Sequence, residues 1–447
     1  MTDPSGGDLL ADGPADAGAD LHRWAADLFP IGRSLSGDGV RQTLAYLADL
    51  LPGLTVHQVP TGEPAFDWTV PDEWNVRQAY LADADGTRIA DYDVNTLHLV
   101  GYSEPVEATM TRAELEPHLH SIPELPDAIP YVTSYYRRTW GFCLTQRQRD
   151  ALGDGPFRVV IDTDLGPGHL TYADVVVPGR SDDEVLLSTY VCHPSMANNE
   201  LSGPVVAAAL GRWLQSLPSR RYTYRLVFVP ETIGSLIYLS RHLDHLRDHV
   251  RAGWVLTCIG DERAYSYVPS RYGTTLADRV SLQAVDDLGI DCIRYTFLDR
   301  GSDERQYCSP GADLPVASLM RSKYGRYDEY HTSLDDLSFV TPAGLQGGLD
   351  LMAQAIRILE SNRTWQAVLP GEPQLGRRGL YPTTSTRSSG GQPSVRNMMN
   401  VLAYLDGTND TMDVARIVGQ PSTQVAATAA LLADAGLLRE LPAPLPR

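Results

Sequence analysis

Ser188-Thr-Tyr-Val-Cys-His193-Pro-Ser-Met-Ala-Asn-Asn-Glu200-Leu-Ser-Gly-Pro204 is the stretch on which the fold turns. It continues the apolar run Val185-Leu-Leu187 and ends where a helical pattern begins, near Leu201. The spacing predicts a strand over 185–191 that hands a histidine and a carboxylate to a turn, with a helix over 201–217 behind it. Working outward, strand and helix keep alternating. Strands are expected at 157–161, 171–177, 224–229, 254–259, 293–297 and 315–319, and further helices at 234–250, 276–288 and 342–361. Runs such as Arg225-Leu-Val-Phe-Val229 are apolar enough to be covered on both faces. An α/β sandwich of three layers around a mostly parallel sheet follows.

In such sheets ligands lie beyond the carboxyl ends of the strands. His193, Asn199 and Glu200 follow the strand at 185–191, Glu231 follows 224–229, and Asp261 follows 254–259. A loop after 315–319 leads to His331 and Asp335. Strand ends that deliver His, Glu, Glu, Asp and His supply the ligand set of zinc or a similar divalent ion, with a carboxylate to spare for activating water. Taken singly, each of these residues reads better as a structural histidine or a helix cap; their succession is what counts.

The flanking sequence divides the chain. Residues 1–20 form an acidic tail, and 21–54 with 128–365 form the catalytic domain. Residues 55–127, alternating segments broken by Asp-Gly and Asn turns, form an inserted β domain or cap. A Gly-, Ser- and Pro-rich linker spans 366–394. Residues 395–447 carry helical segments at 395–405, 413–418 and 422–435 and then a short strand, the order of a winged helix. The segment 422–435 holds no Lys or Arg, so the phosphate contacts of DNA binding are not available there. Packing or homo-oligomer formation is the expected duty of this module.

Composition narrows the partners. The 447 residues hold 56 acidic against 37 basic side chains, a net charge of −19, which excludes a general binder of nucleic acid or anionic membrane. Lys323 is the single lysine. Cys143, Cys192, Cys258, Cys292 and Cys308 are widely spaced without a Cys-x-x-Cys, so no disulfide framework or zinc finger is indicated. There is no basic, apolar start and no run of about eighteen apolar residues, so a cytoplasmic setting is expected.

The segment 188–204 resembles the His…Asp-Asn-x-Ser-Gly signature of zinc aminopeptidases of the aminopeptidase S and glutamate carboxypeptidase type. Phe228-Val-Pro-Glu231-Thr-Ile-Gly-Ser is similar to their strand ending in Gly-Glu-Glu, and Tyr330-His331-Thr-Ser-Leu-Asp335 to their final Tyr-His-Thr-x-x-Asp. The spelling Cys-His-Pro-Ser-Met-Ala-Asn-Asn-Glu, with Ser134 to Leu144, resembles the aminopeptidase-like proteins of domain of unknown function 4910, over residues 20 to 440. The resemblance implies a zinc-exopeptidase-like sandwich with an inserted β domain and a winged helix, often encoded with polysaccharide or natural-product genes. It implies Glu231 as general base and His193, Glu200, Asp261 and His331 as metal ligands. Three departures from the pattern stand out: Ser195 replaces an Asp beside the first ligand, Asn199 replaces the bridging Asp, and Thr232 replaces a ligand Glu. One zinc ion is therefore expected rather than two.

Asp335 and Asp303 are expected to support the ligands, Asp335 by orienting His331. Cys192 is expected to point away from His193, because strand neighbours face opposite sides. His118 and His120 read as an exposed pair, and Tyr135, Tyr136, Arg138 and Trp140 as either packing or a clamp for a substrate carboxylate or sugar. The leading expectation is a metal-dependent hydrolase of an amide or peptide bond in a small biosynthetic intermediate. Its rivals are a catalytically weak protein that binds an amino-acid- or sugar-like ligand, and a regulator acting through the winged helix.

Overall fold

The computed structural model describes residues 13–135, 137–381 and 395–442. Helices α1 (Gly18–Leu28) and α2 (Asp38–Leu50) come first. Leu21, Trp24, Ala25 and Leu28 recur at helical spacing and are buried, so α1 lays an apolar stripe on the body of the protein. The backbone N–H groups of Ala17 and Gly18 donate to Gln346 Oε1 at 2.8 and 2.9 Å. Helix α1 therefore starts inside the segment read as an acidic tail at 1–20; residues 1–12 of that tail lie outside the described residues.

Strand β1 (Thr55–Pro60) precedes β2 (Glu73–Ala82), β3 (Arg88–Asp91) and β4 (Val106–Met110). Next come β5 (Phe157–Gly166), β6 (His169–Val177), β7 (Glu184–Tyr190) and α3 (Ser202–Ser216). The body continues with β8 (Thr223–Val229), α4 (Ile233–His249), β9 (Val250–Val255), β10 (Ser266–Val268) and α5 (Leu276–Leu288). It closes with β11 (Ile293–Arg294), β12 (Val316–Met320) and α6 (Pro342–Ser361). The main sheet has the order β1-β6-β8-β7-β9-β12-β10-β11. Its middle four strands, β8, β7, β9 and β12, are parallel, and antiparallel strands flank them.

Period-two alternation splits the strands between two cores. Val185, Leu187, Trp254 and Ala317 face α1, α2, α3, α5 and α6. Leu186, Tyr190, Val227 and Val316 face α4 and the smaller sheet. All seven residues of β7 are buried, as expected of a strand covered on both sides.

Two boundaries of the insertion differ from the sequence reading. Phe157–Gly166 does not join the main sheet; it lies between β2 and β4 in a four-stranded sheet of order β3-β2-β5-β4. Thr55–Pro60, read as the start of the insertion, instead pairs with β6 as an edge of the main sheet. The insertion thus closes at Gly166 rather than at 127.

The C-terminal unit starts earlier than expected. Strand β13 (Thr364–Ala367) pairs with β14 (Asp406–Asp410) and β15 (Leu438–Leu441), so 366–367 belong to this sheet and not to a linker. Residues 382–394 of that linker lie outside the described residues. Helices α7 (Val395–Tyr404), α8 (Thr411–Val418) and α9 (Ser422–Asp434) complete a winged helix with its own core around Val401, Val425 and Leu432. It docks on the body through Met412, Arg279 to Asp410 and Asp413, and Asp287 to Ser422.

Candidate metal site

Strand β7 ends at Tyr190, and three residues of irregular chain carry His193 to the sheet's carboxyl edge. The ring is buried between two carboxylates. Nδ1 donates to Glu200 Oε2 at 2.9 Å, and Nε2 lies 3.5 Å from Glu231 Oε2. Burial opposes a charge on His193, yet the Cys192 sulfur and, more directly, the Glu200 carboxylate hold its imidazolium well above the ordinary histidine range. Arg33 supports the arrangement: its Nε donates to the His193 carbonyl at 3.0 Å and sits 3.5 Å from Glu200 Oε1.

Cys192 does not point away from His193. The strand has already ended, alternation no longer applies, and Sγ lies 3.4 Å from His193 Nδ1. Among the described residues, Cys192, His193 and Glu200 form the group of potential ligands whose donor atoms lie within 4.8 Å of one another. The Glu231 N–H donates to the same sulfur, and burial pushes the thiol up to about 11.

Glu231 leaves β8 through Pro230, and its side chain retains 21% exposure where His193 and Glu200 keep 5% and none. Burial raises its pKa, while His193 and Arg305 pull it down. Thr232 follows with φ of +64°, and its N–H donates to Asp303 Oδ1 at 2.8 Å. Asp303 also accepts from Ser235 Oγ, so it caps α4. Burial and the nearby Glu231 charge push the Asp303 carboxyl up to about 7.

His331 also has positive φ, +57°. Tyr131 N donates to its carbonyl at 2.9 Å, and a bridge between Pro130 and Thr332 fixes the loop. Its ring stacks on Tyr330 at 3.9 Å and lies 5.5 Å, centroid to centroid, from His193, with Tyr131 edge-on to both histidines. Burial and His193 depress the His331 pKa to about 3, so the ring is neutral, and its buried Nε2 has no partner. Asn199 donates through Nδ2 to Tyr190 Oη at 2.9 Å and leaves Oδ1 buried and unpartnered.

Three expectations fail. Asp261 is not aimed at the histidines: Asn198 Nδ2, Arg263 N, Ser322 N and Ser322 Oγ occupy its two oxygens. Strand β9 ends at Val255, and the side chain it brings to Asn199 is Thr257, whose Oγ1 donates to the Asn199 carbonyl at 2.9 Å. Asp335 does not orient His331. It accepts the N–H groups of Asn198 and Asn199 at 2.6 and 2.9 Å and so pins the turn between β7 and α3. Arg138 is exposed and paired with Asp72 at 2.9 Å, away from the site.

Tyr135 is the clamp residue that does come close, through its hydroxyl bond to Tyr131 at 2.7 Å. Trp140 stacks on His118 at 3.7 Å, which is packing, and Tyr136 lies outside the described residues. Sequence reasoning missed Arg33, Tyr131, Tyr190 and Thr257. The Gly-Arg-Ser-Leu-Ser-Gly loop between the first two helices was a signal for Arg33, but nothing local shows that an arginine is buried.

By donor type and spacing, Cys192, His193 and Glu200 could hold a metal ion. His331 Nε2 and Asn199 Oδ1 are buried polar atoms without partners, and a bound cation is one group that satisfies such atoms. Sheet, insertion and site together define an α/β protein of aminopeptidase-like fold with an appended winged helix. The chain belongs to the family described as domain of unknown function 4910, which matches residues 22–362. Residues 363–440 match a winged helix-turn-helix family. A Clostridium acetobutylicum protein whose name refers to polysaccharide biosynthesis and an aminopeptidase-like domain is 42% identical over 406 residues, 90% of this chain and 92% of that one. A crystal structure from the same organism, named as a peptidase, superposes with a TM-score of 0.90 at 39% identity, over 96% of this chain and 97% of that one. A zinc aminopeptidase of Bacillus subtilis shares the fold at a TM-score of 0.54 and 14% identity, covering 78% of this chain and 95% of its own. For a Shewanella amazonensis peptidase M28 precursor the values are 0.55, 12%, 82% and 97%.

Proposed function

We propose that the chain is a metal-dependent hydrolase of an amide bond in a small biosynthetic molecule, working with one zinc ion and with Glu231 as general base. The observation that carries this reading is the placement of Glu231, a partly exposed carboxylate 3.5 Å from His193 Nε2, while the buried Nε2 of His331 is left without a partner. His193 Nε2, His331 Nε2 and Asn199 Oδ1 would hold the ion, which when bound polarises the scissile carbonyl and acidifies water. Glu200 and Arg33 hold the His193 ring from the Nδ1 side, the usual position of a carboxylate that orients a metal-bound histidine. Glu231 takes the proton of the attacking water. The oxygen bonds to the carbonyl carbon, the C–N bond breaks, and the proton passes to the leaving nitrogen. Thr232 and Thr257 are neutral, and Asp261 and Asp335 are engaged elsewhere, which leaves too few carboxylates for a second ion.

A relative named for polysaccharide biosynthesis and an aminopeptidase-like domain supports an amide-bearing biosynthetic intermediate. A cytoplasmic setting accords with five free cysteines. Among the described residues no helix is long and apolar enough to cross a membrane. The neutral side chains at Asn199, Thr232 and Thr257 favour a second reading, a weakly catalytic binding protein.

Metal analysis and turnover separate the two. The hydrolase should carry about one zinc per chain and cleave N-acetyl-L-alanine or L-alanine p-nitroanilide. Glu231→Gln should lower turnover by about 100-fold or more at near-normal zinc content. Absence of both tightly held metal and metal-restored activity would sink the hydrolase. Cobalt substitution should give no thiolate charge-transfer band if the ion sits on Nε2; such a band would move it to Cys192.

A further inference from the structure

Arg305 stands exposed on the short helical turn Glu304–Tyr307, at the flank of the site. Its Nη2 donates to Thr232 Oγ1 at 2.6 Å, and among the described residues it has no carboxylate in ion-pair contact. Two residues earlier, Asp303 accepts the Thr232 N–H at 2.8 Å. One stretch of chain therefore grips Thr232 by backbone and by side chain, and holds it at a φ of +64° that a β-branched residue rarely adopts. Such strain persists only where the surroundings over-determine it, and here it fixes a guanidinium next to Glu231. Asp303 and Glu304 do not neutralise that guanidinium. Both are buried, and they accept from Thr232, Ser235, Gly301 and Tyr324 instead. The charge of Arg305 faces the site: burial raises the pKa of both Glu231 and the Tyr330 hydroxyl, and Arg305 pulls both back. Tyr330 is the ring stacked on His331.

A solvent-facing guanidinium with a free edge is the best geometric match for a carboxylate. The proposed chemistry says where such a group would lie. Glu231 returns its proton to the leaving nitrogen, and in an N-acyl amino acid the carboxylate is carried by the carbon next to that nitrogen. A leaving group of this kind brings its negative charge towards Glu231, which repels it unless a cation stands alongside. We propose that Arg305 is that cation, a specificity residue that anchors the free carboxylate of the leaving amino acid. The substrate class is then an N-acyl amino acid, or a peptide cleaved at its C-terminal residue. A substrate that carries its charge as a free ammonium gains nothing from Arg305.

The assignment rests on the hydrolase reading for its purpose, but binding tests it separately. N-methanesulfonyl-L-alanine keeps the N–H and the carboxylate and cannot be cleaved as an amide. Calorimetric titration of the full-length protein should show it binding about fivefold or more tightly than N-methanesulfonyl-L-alaninamide, the gap expected for a charged hydrogen-bonded pair open to solvent. Arg305→Gln should erase the difference. Arg305→Glu should reverse it, an outcome that mere disturbance of the Thr232 turn would not produce. Equal binding of acid and amide, no binding of the acid, or an unchanged preference in either variant would each overturn the anchor. Arg305-dependent binding of the acid, in a protein that does not hydrolyse N-acetyl-L-alanine, would leave the anchor standing and remove only the hydrolase.

Discussion

Four donors converge on the Asp261 carboxylate, and a carboxylate has about four acceptor positions. With those positions filled, no lone pair remains for a metal, and the group instead ties Asn198 in the turn after β7 to Ser322 after β12. Asp261→Asn replaces two acceptor positions with N–H donors that face the same donors. It should destabilise the fold by about 2–3 kcal/mol, measured by urea unfolding, while zinc content stays unchanged. Loss of zinc in a folded Asp261→Asn variant would restore the residue as a ligand. The contrast with His193 explains which site residues could be read from the sequence. His193 and Glu231 follow their strands directly and Glu200 opens the helix behind His193, so local order already places them near one another. Asp261, Asp335 and Asp303 look equally well placed, but their partners at Ser322, Asn198 and Thr232 come from other strand ends. A linear pattern shows that a carboxylate is present, not which lone pairs are already occupied.

At the scale of elements, the same limit governs strands. The apolar spacing around 157–161 revealed a strand, but spacing carries no information about the partner, and Phe157–Gly166 pairs with β2 and β4 instead of the main sheet. Exposure along Thr55–Pro60 disguises an edge strand as part of the insertion. The joint between insertion and body is consequently ionic where sequence reading saw only a boundary. Glu73 at the start of β2 accepts from Arg41 of α2 at 2.6 Å, from the His169 N–H of β6 at 2.8 Å and from Asn75 at 3.0 Å. Burial works against the charge, but these donors outweigh it and hold the carboxyl down at about 2, against 4.5 when free. A depressed pKa means that the folded state releases this proton more readily, so the joint's stabilisation is present above pH 4.5 and is lost as pH falls towards 2. Solvent around Arg41 limits the effect to about 1 kcal/mol. The urea midpoint of the wild type should drop across that window, and Glu73→Gln should flatten this part of the drop. An unchanged acid limb in the variant would assign the acid sensitivity to other groups.

For the molecule as a whole, the decisive contact is the one that seats the winged helix. The N-terminus of α9 is the end that reads base edges in DNA-binding relatives of this motif. Here Asp287 of α5 takes that end: Ser422 N lies 3.1 and 3.0 Å from its two oxygens, and Ser422 Oγ donates to it at 2.5 Å. Gln283 and Gln354 hold the same carboxylate from the body side. A helix cap supplied by another domain does two things at once. It contributes roughly the 1–2 kcal/mol of a good cap to docking, and it places a negative charge where a phosphate backbone would have to approach. Ser422–Asp434 holds no Lys or Arg to offset that charge, and we propose that the module serves as a packing element of the body. Asp287→Ala should therefore speed amide exchange over 422–434 while leaving the body's core protected, as seen by hydrogen exchange. Neither protein should shift a random duplex at about 50 mM salt, where non-specific binding is strongest. Salt-sensitive duplex binding by Asp287→Ala alone would recast the contact as an inhibitory latch, and binding by the wild type would remove the packing role altogether.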